Sequence, residues 1–556
     1  MLKMTDARMY KKIPAAATPK RLLALIAASL LALGPNVAPI YAAKPAVVDP
    51  EAAVPTATPI KHLVVIFDEN ISFDHYFGVY PVATNPAGEP QFTAKPGTPT
   101  VNGYTPALLN HNPNLNPLNG TGATNPFRLD PSQAVTADQN HSYTPEQQAF
   151  DLGLLDLFPA FVGAAGPPPT GIPIVSTPGL NLGYYDGNTV TAMWNYAQFY
   201  AMNDNSYSST FGPSSPGAIN MFSGQTNGVI ATLNGTGDEV NGGSDGSLTL
   251  IGDADPIGDT CASPTRDQAT MGGQNIANLL KSAGISYGSF FGGFNLSIVN
   301  SNGTTGCNRS STGLSGTTAD YVPHHAWTQY YPSTANPLHT RPASTSEIGH
   351  NGPANHVYDL DDFTTAVQAG HIPAVSFIKA AAYQDGHAGY SNPLDEQTNV
   401  VTLVDLIMQQ TYWKDTAIII LYDDSDGWYD HQMAPIVNTS TGPDDALTGP
   451  GACGTAATSL PGLNPANLHA LGRCGYGMRQ PLLVISPYAL ENFVDHTLTD
   501  QSSVIRFVED NWLNGQRIGN GSFDTIASPI NQMFNFTQIR KDNILILNPS
   551  NGEPIL

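Results

Sequence analysis

Five short apolar runs, rich in β-branched residues, punctuate the chain: His62–Phe67, Ile285–Phe290, Ala374–Ile378, Thr416–Tyr422 and Pro481–Ser486. A short run without polar alternation reads as a strand buried on both faces, as in a parallel sheet. Between these runs the spacing turns helical. Asn275–Ser282 puts Ile276, Leu279 and Leu280 on one face and stops at Gly284. Leu394–Gln410 spaces Val400, Leu403, Val404 and Ile407 for a helix, and Asp500–Trp512 follows Thr499 as its N-cap and aligns Val504, Ile505 and Val508. Strand–helix alternation predicts an α/β fold with a mostly parallel central sheet flanked by helices. Residues 81–135, 225–262, 296–320 and 436–470 are rich in Gly, Asn, Pro and Thr. They predict long loop insertions on one elaborated domain, residues 44–556, and loops of that length usually carry function.

The N-terminus changes the picture of where the chain works. Lys3, Arg8, Lys11, Lys12, Lys20 and Arg21 precede an uncharged apolar run from Leu22 to Leu33, and small residues lead to Tyr41-Ala42-Ala43. That order reads as a secretory signal, residues 1–43. The run is shorter than the roughly 20 residues of a membrane span. The expectation is a secreted or periplasmic protein with no stable membrane anchor. Without residues 1–43, 16 basic residues stand against 44 acidic ones, a net charge of −28. Such a balance argues against nucleic-acid binding, which shows a basic footprint. It also means that any handling of phosphate needs local cations. The four cysteines suit two disulfides in an exported chain. Cys261–Cys307 and Cys453–Cys474 are favoured, because each pair brackets a polar insert, although two other pairings are possible.

In open α/β sheets ligands bind beyond the carboxyl ends of strands. There this chain places Asp68-Glu69-Asn70, Asp423-Asp424-Ser425-Asp426, and Lys379 followed by Asp385 and His387. Carboxylates repeated at two strand ends tolerate one another when a cation lies between them. Glu69, Asn70, Asp423 and Asp424 form an oxygen-rich set suited to a divalent ion. The chain carries 14 histidines against 22 Lys plus Arg, and imidazoles can donate to phosphate oxygens. Candidates are His141, His324, His325, His387 and His431. Gly212-Pro-Ser214-Ser215-Pro-Gly217 makes a tight turn before the helical run Ala218–Phe222. Ser214 or Ser215 would then sit at a helix N-terminus beside the metal, placed as a nucleophile.

Ile60 to Gly78 (IKHLVVIFDENISFDHYFG) resembles the opening signature of the bacterial phosphoesterase family, which holds non-haemolytic-type phospholipases C and secreted acid phosphatases. The likeness continues through Phe211–Asn220, Pro323-His324-His325, Ile348-Gly-His350, Ala374–His387 and Leu421–His431. It implies an alkaline phosphatase-like fold. It implies Ser214 as nucleophile and one divalent metal ion (Ca, Mg, Mn, Fe or Zn) held by Glu69, Asn70, Ser214, Asp423 and Asp424. It further implies a phosphate pocket of His141, His324, His325 and His387, with Asp426 in the same shell. Pro216-Gly217-Ala218 stands where phospholipases commonly have Pro-Asn-Arg, and Ile71 where many members have Arg. The expected function is therefore a metal-dependent acid phosphatase that works through a phosphoserine, with an acidic optimum. The alternatives are a phospholipase C, with Trp194, Trp327 and Trp428 available for a choline cage, and an inert exported binding protein on the same scaffold.

Overall fold

In a computed structural model of the chain, which describes residues 49–163, 174–235, 239–241, 248–454 and 471–555, the apolar runs form the middle of a nine-stranded sheet. The signal expected at 1–43 lies outside the described residues. The strands are His62–Asp68 (β1), Ala201–Tyr207 (β2), Tyr287–Phe291 (β3), Val357–Asp359 (β4), Val375–Lys379 (β5), Thr416–Tyr422 (β6), Arg479–Ile485 (β7), Phe493–Asp495 (β8) and Thr499–Asp500 (β9). Their order is β4-β3-β5-β1-β6-β7-β2-β8, with β9 also beside β2. β4, β3, β5, β1 and β6 run parallel. β1 and β6 pair without a shift from His62↔Thr416 to Asp68↔Tyr422. Glu69-Asn70 and Asp423-Asp424 therefore leave the sheet side by side, and Lys379 ends β5 next to them.

The central strands are buried along their whole length. Each Val, Leu or Ile sealed there is worth roughly 1.5–3 kcal/mol. The helices flanking the sheet include Phe73–Phe77 (α1), Ser214–Ser223 (α2), Ile276–Ala283 (α3), Leu360–Ala369 (α4), Pro393–Met408 (α5) and Ser502–Trp512 (α6). α3 starts and stops as its sequence predicts: Asn275 accepts from the Asn278 N–H, and Gly284 closes the helix at φ 69°.

Three expectations need correction. The run at 481–486 belongs to β7, which is antiparallel to both neighbours. The chain leaves β6 at the carboxyl end of the parallel strands and enters β7 from that same end, which makes the pair antiparallel. Thr499 does not cap α6, because it pairs with Ser206 in the sheet. Gln501 stands at the N-cap without a side-chain capping bond, and Asp500, one residue earlier, accepts from the Ser502 N–H at 3.3 Å. The stretch after 225 is not a loop: Asn227–Leu233, Glu239–Asn241, Leu248–Leu250, Asp255–Pro256 and Gln268–Met271 form a second, five-stranded sheet. The disulfides are Cys261–Cys307 and Cys453–Cys474, as favoured. No helix among the described residues is long and apolar enough to cross a membrane.

Candidate active site

The turn after β1 carries Glu69 and Asn70, the turn after β6 carries Asp423 and Asp424, and α2 begins at Ser214. All five are buried. Asn70 adopts φ 66°, a region that asparagine tolerates better than most residues. This turns its backbone N–H onto Asp423 Oδ1 at 2.9 Å. Ser214 Oγ lies 2.9 Å from Glu69 Oε2, 3.1 Å from Asp424 Oδ2 and 3.4 Å from Asn70 Oδ1. Glu69, Asp423 and Asp424 bring ligand atoms within 4.8 Å of one another.

The donor set fits a divalent cation. As placed, the Asn70 amide oxygen faces Glu69 Oε2 at 2.8 Å and Asp424 Oδ2 at 3.1 Å, acceptor against acceptor. Two arrangements relieve this. Either the amide turns over, so that its NH2 donates to the carboxylates and its oxygen accepts from His387 Nε2 at 3.0 Å, or a positive ion sits among the oxygens. Burial pushes the Glu69 and Asp424 carboxyls well above their usual range, and neighbouring Asp423 adds to the effect. Carboxylates strained in this way are relieved by a cation. Burial also opposes ionisation of Asp423. There, however, Lys379 and the N–H groups of Asn70 and Asp424 win and hold the carboxyl below its usual value.

Lys379 was placed at a ligand-binding strand end by its sequence but given no role there. Its ammonium lies 3.2 Å from Asp423 Oδ2 and also contacts Glu69 Oε1. Its place at the end of a predicted strand was the available signal. Glu146 was missed altogether. It accepts from the Gly212 N–H at 2.9 Å and the Ser425 hydroxyl at 2.7 Å, tying the turn before Ser214 to the β6 turn. Gly217 completes that junction. A Cβ at this position would lie 2.2 Å from the Asp423 carbonyl oxygen, so α2 rests directly on backbone.

The expected histidines converge on this cluster. His325 Nδ1 is 3.1 Å from Glu69 Oε1. His141 Nδ1 is 3.2 Å from Asp426 Oδ1, and Asn70 Nδ2 donates to the same oxygen at 3.3 Å. The His141 and His387 rings lie 5.7 Å apart, and those of His324 and His325 4.6 Å. Burial drives His325 well below its usual pKa and lowers His387. His141 goes the other way, because Asp424, Asp426 and Asp138 outweigh its burial. Burial thus works against protonation of His325 and His387, while neighbouring carboxylates favour it at His141. His431 lies elsewhere, against Asp74 in the network around Arg479. The N-terminus of α2 offers less to phosphate than its sequence predicts. The Ser215 N–H donates to Asp253 Oδ1 at 2.9 Å, and residue 216 is a proline without an N–H.

The chain shows likenesses to several known proteins. It is 34% identical over 155 residues to a non-hemolytic phospholipase C of Pseudomonas aeruginosa, covering 27% of this chain and 22% of that protein. It is 23% identical over 513 residues to phospholipase C B of Mycobacterium tuberculosis, covering 91% of this chain and 80% of that protein. A solved structure of murine ectonucleotide pyrophosphatase/phosphodiesterase 5 aligns with a TM-score of 0.29 and 11% identity, over 62% of this chain and 95% of that one. The family model described as Phosphoesterase family matches residues 60–513. With that match covering most of its length and the carboxylate–serine–histidine cluster inside it, the chain belongs to the Phosphoesterase family, whose chemistry is hydrolysis of phosphoric esters.

Proposed function

We propose that the chain is an exported phosphomonoesterase of the acid phosphatase kind, with Ser214 as its nucleophile. The observation that carries the reading is the position of Ser214 Oγ, at the start of α2 and within 3.1 Å of both Glu69 and Asp424. Glu69, Asn70, Asp423 and Asp424, with Ser214 Oγ, would hold one divalent ion, and when bound it supplies Lewis acidity and charge neutralisation. The chain's own groups do the rest. His141, His325 and His387 orient the phosphoryl oxygens. Ser214 Oγ attacks phosphorus and displaces the alcohol, a pocket histidine protonates the leaving oxygen, and water then hydrolyses the phosphoserine. Proton transfer of this kind contributes roughly 10²–10⁴-fold. Residues 1–43 act as the export signal and 44–556 as the catalytic domain. Two disulfides suit an oxidising compartment.

A phospholipase C reading is favoured by the printed names of the relatives. Against it, the tryptophans offered for a choline cage are all buried. Trp194 donates to Tyr76 O, Trp327 donates to Ser289 Oγ, and Trp428 stacks on His75. An inert scaffold accords poorly with an unbroken set of catalytic residues in mutual contact. The test is hydrolysis of p-nitrophenyl phosphate and p-nitrophenyl phosphorylcholine across pH, beside Ser214→Ala and with chelator. Monoester turnover in acid that vanishes in the variant and with chelator supports the proposal. Preference for the choline diester moves the protein to the phospholipase side. No turnover with metal bound leaves the scaffold reading.

A further inference from the structure

Beside the nucleophile turn lies an open cavity of about 570 Å³. It is lined by residues 139–145, Pro213 and Asp444, and by residues 251–253 with Arg266 and Asp267, which the five-stranded insert brings. We propose that this cavity is the subsite for the non-reacting part of the substrate, and that it takes an alcohol rich in hydrogen-bond donors and free of negative charge: a polyol or an ammonium-bearing alcohol. The proposal rests on Ser214 being the nucleophile and adds to that reading what the ester carries beyond phosphorus.

Position is the first argument. Pro213 precedes Ser214, and His141, in contact with Asp426, faces the same space. A substrate whose phosphorus sits at Ser214 has this volume next to it. The second argument is a buried acceptor without a donor. Gln139 is fully buried and its Nε2 donates to Ala137 O at 2.7 Å, but its Oε1 has no hydrogen-bond partner. An unpaired buried acceptor costs roughly 1–3 kcal/mol, which a ligand donor would recover.

Charge is the third. Asp253, Asp267 and Asp444 all line the space. The guanidinium on the same wall is already engaged: Arg266 Nε donates to Asp253 O at 2.8 Å and lies 3.5 Å from Asp255 Oδ1. A carboxylate or second phosphate on the leaving alcohol would meet a wall on which three carboxylates stand against one guanidinium and one imidazole. The fourth argument concerns shape. Tyr143 is buried, with its hydroxyl on Asp445 Oδ1 at 2.6 Å, and Ile251 is buried too. These two side chains therefore expose little aromatic face for a quaternary ammonium and little apolar surface for acyl chains.

The test uses the full mature protein with both disulfides formed and metal bound. kcat/KM is measured for glycerol 2-phosphate, phosphoethanolamine, 3-phosphoglycerate and p-nitrophenyl phosphate. The polyol and ammonium esters should exceed the carboxylate-bearing ester by roughly tenfold or more, a factor typical of one well-placed subsite contact. Asp267→Lys and Asp444→Lys lie outside the catalytic set. They should close that gap, read as the ratio of kcat/KM for glycerol 2-phosphate to that for 3-phosphoglycerate, since charge on the cavity wall acts through its field on the leaving group. A larger loss for phosphoethanolamine than for glycerol 2-phosphate in these variants identifies the ammonium as the favoured donor; equal loss identifies the polyol. Indifference of the wild type to leaving-group charge, or an unchanged ratio in both variants, overturns the subsite. Turnover surviving in Ser214→Ala overturns the underlying reading instead, so the two failures are distinguishable.

Discussion

A methyl group at position 217 would be driven into the carbonyl oxygen of Asp423, 2.2 Å from where its carbon must sit. Because that neighbour is backbone, it cannot swing aside. Gly217→Ala should therefore push α2 off the β6 turn, with a stability cost of about 1–3 kcal/mol. Activity should suffer more: kcat for p-nitrophenyl phosphate is expected to fall well beyond tenfold, since small displacements of reacting groups are costly. Urea unfolding and steady-state kinetics on one preparation would check both. Lys379 sets a second prediction. Replacing it by Met leaves Glu69 and Asp423 buried beside each other without their ammonium. Removing one member of a buried charge cluster costs roughly 3–5 kcal/mol. Saturating divalent ion should restore part of that loss, visible as a larger metal-induced rise in Tm than in wild type. At this scale the sequence was readable where a residue sits at a strand end: Glu69, Asn70, Asp423 and Asp424 all announce themselves after apolar runs. Glu146 and Asp253 do not. They come from polar segments with no periodic pattern, and only folding brings them to Gly212 and Ser215.

Among the elements, α6 carries a built-in response to pH. Glu509 is buried against Asp524, and burial, with Asp524 adding to it, pushes its carboxyl up to about 9. Arg517 at 3.1 Å offsets this only in part. The folded state therefore binds a proton that the unfolded chain releases near pH 4.5. Stability from this group is intact below the unfolded pKa and falls as pH rises toward 9, by at most about 1.4 kcal/mol per unit. Denaturation midpoints from pH 5 to 9 should show the decline, and Glu509→Gln should flatten it. A wild-type curve that is already flat would contradict the assignment. β1, β5 and β6 were legible because continuous apolar runs have few other uses. β2 was not: Asn203, Asp204, Asn205 and Ser206 read as loop. They survive in a sheet because their polar groups are met, Asn203 donating to Asp495 Oδ2 and Thr497 O, and Asp204 Oδ2 accepting from the Asn102 N–H. The direction of β7 was beyond any periodicity, since a strand buried on both faces looks the same from either end.

For the molecule as a whole, the inserts are fastened as well as folded. The Cys261–Cys307 bridge closes a sequence separation of 46 residues beside the small sheet that carries Asp253. Replacing both cysteines by serine should lower stability by about 2–4 kcal/mol, read as a shift in urea midpoint. Asp253 caps α2 from this sheet, so kcat/KM should drop in the same variant. The junction at Gly217 has a different consequence. Ser214 and its neighbouring carboxylates are spaced by main chain lying on main chain, in the middle of the largest core. No side chain can rotate to loosen that spacing while the sheet stands. Warming the enzyme should therefore bring no gradual fading of turnover: inactivation and loss of the sheet's circular dichroism signal would arrive as one event, at one temperature.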